Sequence, residues 1–376
     1  MKALDELTCL LRPAAGGVYL VSSGKAEQLA LQKQLYGVDT EAHVQEQFLE
    51  RLANLRQARA VLVGIPSDVG AGFRRGANLG PQALRQRLIE EGVDLGAKGV
   101  VDIGDVFVVP QLLHDEMLSA QQLEASRRAL YPQLSPGDRA ELPVSPLSIA
   151  ERVWELVLAQ NPTVVPLTLG GDHSTALPAV RALHRARPGW ALVQSDAHTD
   201  LLETRLGVKY CFATWSWHAN ELLGRSGRLT QVGIRASGRD RAHWESTLGV
   251  RQLWASEVLA HPEEALETLV THVKNLGARG VFFSNDIDGT DSRWADATGT
   301  PEPFGLEPDW VVELIRRLGR EVGLVGGDVM EVAPTITPTP QSARRTVGLA
   351  VRYLVETIEA ALGTAPRVWQ NPPRSC

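Results

Sequence analysis

Trp190-Ala191-Leu192-Val193-Gln194-Ser195 runs directly into Asp196-Ala197-His198-Thr199-Asp200. The first half is apolar almost throughout, the pattern of a strand covered on both faces in a parallel sheet. The second half sets Asp196, His198 and Asp200 two residues apart, and alternate side chains of an extended segment point to one side. Three ligating groups can therefore leave a single strand end toward one cavity, where open parallel sheets build their sites.

The arrangement recurs. Val164–Leu169 leads to Gly170-Gly171-Asp172-His173-Ser174, and Gly280–Ser284 leads to Asn285-Asp286-Ile287-Asp288. Leaving Asp172 aside, the motifs offer the imidazoles of His173 and His198 and the carboxylates of Asp196, Asp200, Asp286 and Asp288. Loop aspartates also serve as turns and helix caps. Three such motifs, each after a strand, fit a metal centre better. A mixed nitrogen and oxygen set suits Mn²⁺, with Ni²⁺, Co²⁺ or Zn²⁺ as alternatives. Carboxylates this close repel unless a cation joins them, and two ions would acidify a water between them.

Further strands are expected at Ala60–Ile65, Leu229–Ile234 and Glu321–Val325. Amphipathic helices are expected at Pro81–Glu91, Ser148–Gln160, Ala176–Arg187, Pro262–Leu276, Pro308–Leu318 and Arg344–Leu362. This alternation predicts an α/β fold, a three-layer α/β/α sandwich around one mainly parallel sheet. Arg127–Asp138 and Ala333–Pro340 read as loops. Ser22–Arg51 is rich in Gln, Glu and Leu and reads as helix with a break near Gly37. Residues 1–55 are therefore expected to form a helical extension on a metallohydrolase body at 56–376.

With 44% hydrophobic and 22% charged residues, the chain has the means to build a core. Its net charge of −6 gives no reason to expect nucleic acid as a partner. Cys9, Cys211 and Cys376 are too scattered for a disulfide scaffold and form no CxxC site. The opening ten residues carry Asp5 and Glu6 and no secretory pattern, and no apolar run is long enough to span a bilayer. A soluble, cytoplasmic protein without a membrane partner is expected. Gly70-Ala71-Gly72 and Gly170-Gly171 lack the GxGxxG frame of a nucleotide site. Ser174 lacks a GxSxG context and reads as a helix-capping hydroxyl.

On these motifs the chain resembles the ureohydrolase family, which includes arginase, agmatinase and guanidino-acid hydrolases. The resemblance runs from about Val61 to Thr357. It takes in Gly64-Ile65-Pro66-Ser67-Asp68, Arg75-Gly76-Ala77, Gly80-Pro81, Asp102-Ile103-Gly104-Asp105, Gly299-Thr300-Pro301-Glu302 and Gly326-Gly327-Asp328-Val329-Met330-Glu331-Val332-Ala333-Pro334. It implies eight strands, a trimer or hexamer, and two Mn²⁺ per subunit. One ion would be held by His173, Asp196, Asp200 and Asp286, the other by Asp196, His198, Asp286 and Asp288. It further implies release of urea and an amine from a small cationic guanidino molecule, with Glu331 holding the guanidinium through paired, charge-assisted hydrogen bonds.

One departure stands out. The family's loop histidine for proton transfer is replaced by Phe212, and His218 lies six residues later. Asp200, Glu331 and His218 are the candidate catalytic residues, with Tyr210 or Cys211 as other proton carriers. Tyr210, Phe212 and Trp215 could form an apolar wall or an aromatic cage for a cationic substrate. Arg74, Arg75 or Arg235 could instead hold an acid tail, though Arg75 could simply pair with loop carbonyls. Leu201-Leu202-Glu203 and Gly233-Ile234-Arg235-Ala236-Ser237 lack the polar groups that would hold free arginine, so agmatine or a guanidino acid fits better. An amide deacetylase, or a silent metal-binding subunit acting through protein partners, are the competing readings.

Overall fold

Nine strands form one sheet in the order β1-β3-β2-β4-β9-β8-β5-β6-β7 in the computed structural model, which describes residues 1–363 apart from 19, 21 and 338. Cys376 lies outside the described residues. The strands are β1 Leu11–Arg12, β2 Ala60–Gly64, β3 Val100–Val106, β4 Val165–Leu169, β5 Ala191–Ser195, β6 Leu229–Ile234, β7 Arg251–Trp254, β8 Val281–Asp286 and β9 Leu324–Met330. Neighbours from β2 to β9 pair in parallel. The ninth strand, beyond the eight that the resemblance implies, comes from the N-terminal segment, where Leu11 pairs antiparallel with Val106.

Alternation along the strands builds two cores. Val61, Val63, Leu192 and Phe282 face one apolar layer, which includes Trp154 and Leu183. Ala60, Leu62, Val193 and Phe283 face the other, with Leu84, Leu269, Ile315 and Leu354. Both faces are thus covered by helices, as a parallel sheet requires. Leu7, Leu10, Phe48 and Leu52 of the first 55 residues are buried in the first layer. Their helices are Ala3–Leu10 and Glu41–Ala53, with Lys25–Tyr36 between them ending at Gly37 in the left-handed conformation.

Two local readings are corrected. Glu321 closes the helix Pro308–Glu321 rather than opening a strand, and β9 runs from Leu324 to Met330, its extent hidden in the sequence because its centre, Gly326-Gly327-Asp328, carries no strand propensity. Arg127 and Arg128 lie in the last turn of a helix, Ala120–Leu130, capped by the Ser119 side chain. Asp138 belongs to a short helix, Pro136–Arg139. The chain also adds β3, whose apolar pattern is broken by Asp102, Gly104 and Asp105. Arg85 makes that strand tolerable: it donates to both Asp102 oxygens at 2.8 and 2.9 Å, to the Gly104 carbonyl at 3.0 Å, and to Asp105. Among the described residues no helix is long and apolar enough to cross a membrane.

Candidate metal centre

The carboxyl ends of β4, β9, β8 and β5, adjacent in the sheet, deliver His173, Glu331, the pair Asp286 and Asp288, and the trio Asp196, His198 and Asp200. The chain passes from β4 to β5 across the two strands inserted between them, so the motifs meet beside a topological crossover. A Cβ at Gly171 would overlap the backbone of Ser67, so only glycine lets the Ile65–Ser67 turn pack over the His173 loop. Asp172 ties the next turn down, accepting from Gly70 N at 3.0 Å and Ser174 N at 2.9 Å. The cap here is therefore Asp172, and the Ser174 hydroxyl does not cap.

His173 Nδ1 lies 3.1 Å from Asp196 Oδ2, 3.0 Å from Asp286 Oδ2 and 3.6 Å from Asp200 Oδ2. His198 Nδ1 lies 3.1 Å from Asp288 Oδ2 and 3.6 Å from Asp196 Oδ1. Two ligand groups result, His173/Asp196/Asp200 and Asp196/His198/Asp288, and they share Asp196. Asp286 stands between them, its Oδ1 accepting from Asp288 N at 2.9 Å.

The supporting contacts orient the His173 ring. Ser284 Oγ donates its single proton to Asp328, at 2.9 and 3.1 Å from the two carboxylate oxygens, so it accepts from His173 Nε2 at 3.0 Å. Burial lifts Asp328 to about 6, while the neighbouring His173 and the donors Ser284 and Asn285 N favour its charged, accepting form. With Nε2 turned to Ser284, Nδ1 is the ring atom that faces the carboxylates. That atom is buried and makes no hydrogen bond. Metal-binding histidines are oriented in this way. Trp215 stacks on the His173 ring at 4.4 Å and donates from Nε1 to Asp200 Oδ2 at 3.0 Å. Gln194 donates to Asp196 Oδ2 at 2.7 Å and is held in turn by Ser216 and Gln231.

The electrostatics call for a cation. Burial, then the neighbouring charge of Asp196 for Asp200 and of Asp288 for Asp286, pushes both carboxyls well above the usual range. Burial opposes a charge on His198, but Asp288 and Asp196 override it and hold the ring up to about 12. His173 is raised in the same way by Asp196 and Asp286. Protons thus stand in for missing positive charge, and nitrogen and oxygen donors of this kind fit divalent first-row ions in their place. The backbone at Asp200 and Glu331 is left-handed, φ 52° and 61°, a strain that collects at functional positions.

Glu331 is buried beside these groups, its Oε1 accepting from His173 N at 2.9 Å. Burial, then the charge of Asp172, raises its pKa. The other candidates part company. Phe212 lines a cavity of about 470 Å³ that opens onto His198 and Asp200. Tyr210 instead donates to Glu116 at 3.0 Å, and Trp215 is committed to His173 and Asp200. Arg235 is spent on backbone carbonyls, among them Asp288 at 2.7 Å, Glu302 and Pro303 at 2.9 Å and Gly233 at 3.0 Å. Arg74 and Arg75 likewise donate to the carbonyls of Ile336 and Val69. His218 directs Nε2 to the Lys209 carbonyl at 3.0 Å and packs against Tyr210 and Trp217. Burial raises the Cys211 thiol, which disfavours proton exchange near neutral pH.

Ser284 and Asp328 were visible in the quoted motifs, but only the fold reveals their support of His173. Arg205, Arg239 and His243 also line the cavity. No motif flags them, because they come from the loop after β5 and from the loop and helix after β6.

Comparison with known proteins agrees with this geometry. A model of the arginase family matches residues 58–358. The guanidinobutyrase of Pseudomonas aeruginosa is 31% identical over 76% of this chain and 82% of its own length. The mitochondrial agmatinase of Gallus gallus is 33% identical over 73% of this chain and 74% of its own. The agmatine ureohydrolase structure from Thermoplasma volcanium superposes with a TM-score of 0.60 at 29% identity, covering 82% of this chain and 91% of that one.

Proposed function

The chain belongs to the arginase family, and we propose that it hydrolyses the guanidino C–N bond of a small linear substrate, releasing urea and an amine. The observation that carries this reading is His173 Nδ1, buried without a hydrogen bond while its ring is fixed through Ser284 and Asp328. His173, Asp196, Asp200 and Asp286 would hold one divalent ion, and Asp196, His198, Asp286 and Asp288 the other. When bound, the pair supplies Lewis acidity and a water acidic enough to act as a nucleophile near neutral pH.

The chain's own residues do the rest. A guanidinium entering beside Glu331 draws that carboxyl into its ionised form and gains paired hydrogen bonds in a site with little competing water. Gly299 lies beside this carboxylate, where an added Cβ would stand 3.8 Å from Glu331 Oε2. Water adds to the guanidinium carbon, the bond to the alkyl nitrogen breaks, and that nitrogen leaves as an amine after taking up a proton. His198 is the imidazole at the mouth of the site. Its Nε2, opposite the metal-facing Nδ1, is 4.0 Å from Glu302 Oε1. Glu331 favours a planar cation over an amide, which weighs against deacetylation.

Manganese as the ion and a trimer or hexamer as the assembly are the finer parts of the proposal. Metal analysis of protein purified without chelator and sedimentation velocity check them. The central test incubates Mn²⁺-loaded protein with a panel of alkylguanidines and guanidino acids and reads urea. Metal-dependent urea release is expected. Two ions per chain with no urea from the panel would favour a silent subunit.

A further inference from the structure

The cavity of about 470 Å³ that opens onto His198 and Asp200 has a charge pattern of its own. At the end nearer the candidate metal centre the wall is formed by His198 and Asp200. Away from it the wall presents Arg205 from the loop after β5, and Arg239 and His243 from the loop and helix after β6. Among the described residues, neither arginine side chain is engaged in an ion pair. The other cations that could have met a substrate are consumed: Arg235 is bound to backbone carbonyls, and Lys209 pairs with Glu116 at 2.6 Å.

Both arginines are mounted on closed turns rather than on loose chain. Arg205 N donates to Val208 O and Val208 N to Arg205 O, each at 2.9 Å. The two residues between, Leu206 and Gly207, are left-handed at φ 50° and 81°. Leucine pays a conformational penalty there and is 98% exposed, so no burial offsets the strain. The guanidinium of Arg205 lies over the Phe212 ring, 4.9 Å from its centroid. The aromatic face that could have received a substrate ammonium therefore already holds a cation. On the facing wall, Ser237 Oγ donates to the Arg239 carbonyl at 2.6 Å, and Trp244 Nε1 donates to Ser237 Oγ at 3.0 Å. The nearby acid, Asp240, is occupied as the helix cap, accepting from His243 N at 2.9 Å.

We infer that Arg205 and Arg239 bind the carboxylate tail of the substrate, so that this enzyme acts on ω-guanidino carboxylic acids and discriminates against guanidines with an ammonium tail. The assignment rests on the guanidine-hydrolase reading of the metal centre. Arginine is the residue suited to clamp a carboxylate, and like charges at the same place exclude an amine.

The test compares urea release from guanidinobutanoate, uncharged butylguanidine and agmatine by the Mn²⁺-loaded full chain, and by Arg205→Gln, Arg239→Gln and the corresponding lysine variants. Guanidinobutanoate is expected to lead agmatine in kcat/KM by about tenfold or more, the effect of a charge-assisted hydrogen bond. Each glutamine substitution should raise KM for the acid by roughly the same factor with kcat little changed, and lysine should recover part of it. Turnover of butylguanidine should stay within about twofold in every variant. Preference for agmatine, or an equal loss on acid and uncharged substrate, would overturn the tail assignment and leave the hydrolase reading standing. Urea from none of the three would overturn the hydrolase reading, and the tail assignment with it.

Discussion

Two buried acid clusters sit in the same sheet and have opposite solutions to the same problem. Asp102 and Asp105 of β3 are met by Arg85, itself almost fully buried, whose fork reaches both carboxylates and the Gly104 carbonyl. Among the described residues, Asp196, Asp200, Asp286 and Asp288 meet no lysine or arginine and only two imidazoles as possible cations, and the buried Nδ1 of His173 has no hydrogen-bond partner. A cluster that brings its own cation is structural. A cluster left short of positive charge, with its ligands oriented by neighbours, is built to import one.

Breaking each cluster should have different consequences. Asp196→Asn or Asp286→Asn removes a ligand placed between the two groups and is expected to take urea release below detection and to lower bound metal, with the far-ultraviolet dichroism of the wild type retained. Arg85→Met should do the reverse. It strands two buried carboxylates, at a cost of about 3–5 kcal/mol in urea unfolding, while the fraction that stays folded binds metal normally. Equal damage to metal content by both kinds of substitution would erase the distinction.

Smaller effects sharpen it. Ser284→Ala frees His173 Nε2 from its acceptor without touching a ligand, and metal affinity should fall roughly 10–100-fold, read by competition with a fluorescent chelator. The pH dependence of the metal-free protein is the subtlest. Asp200 and Asp286 keep their protons in the folded state above the ordinary carboxylate range, and His198 keeps its own up to about 12. Folded groups that bind more protons than unfolded ones contribute stability that is lost as pH rises. Asp196, held low, acts in the opposite sense only in acid. Between about pH 6 and pH 9 the melting temperature of chelated protein should therefore fall relative to Mn²⁺-loaded protein. A constant gap would contradict the charge deficit.

The contrast also shows what a sequence displays. β2, β4 and β5 are largely apolar runs, β6 is broken by Thr230 and Gln231, and the metal motifs follow strands in plain view. β3 and β9 are obscured because Asp102, Asp105 and Gly326-Gly327-Asp328 suppress the apolar pattern. The partners that permit those residues lie on other elements, Arg85 on the helix Gly80–Glu90 before β3 and Ser284 on β8. The substrate wall is hard to read from sequence for a related reason. Tyr210 and Trp215 cluster near Phe212 in sequence, but Tyr210 turns to Glu116 and Trp215 packs beneath His173. Arg235 looked available until the carbonyls it binds were brought to it by the β8 and Glu302 segments. Arg205 and Arg239 face one cavity only because β5 and β6 are neighbours.

The most direct measurement of the central claim is calorimetric titration of Mn²⁺ into chelator-stripped protein, with Asp288→Asn and Arg85→Met beside the wild type. The account predicts two saturable sites per chain in the wild type and in folded Arg85→Met, and loss or severe weakening of one in Asp288→Asn. A single site, or no saturable binding in the wild type, would contradict it.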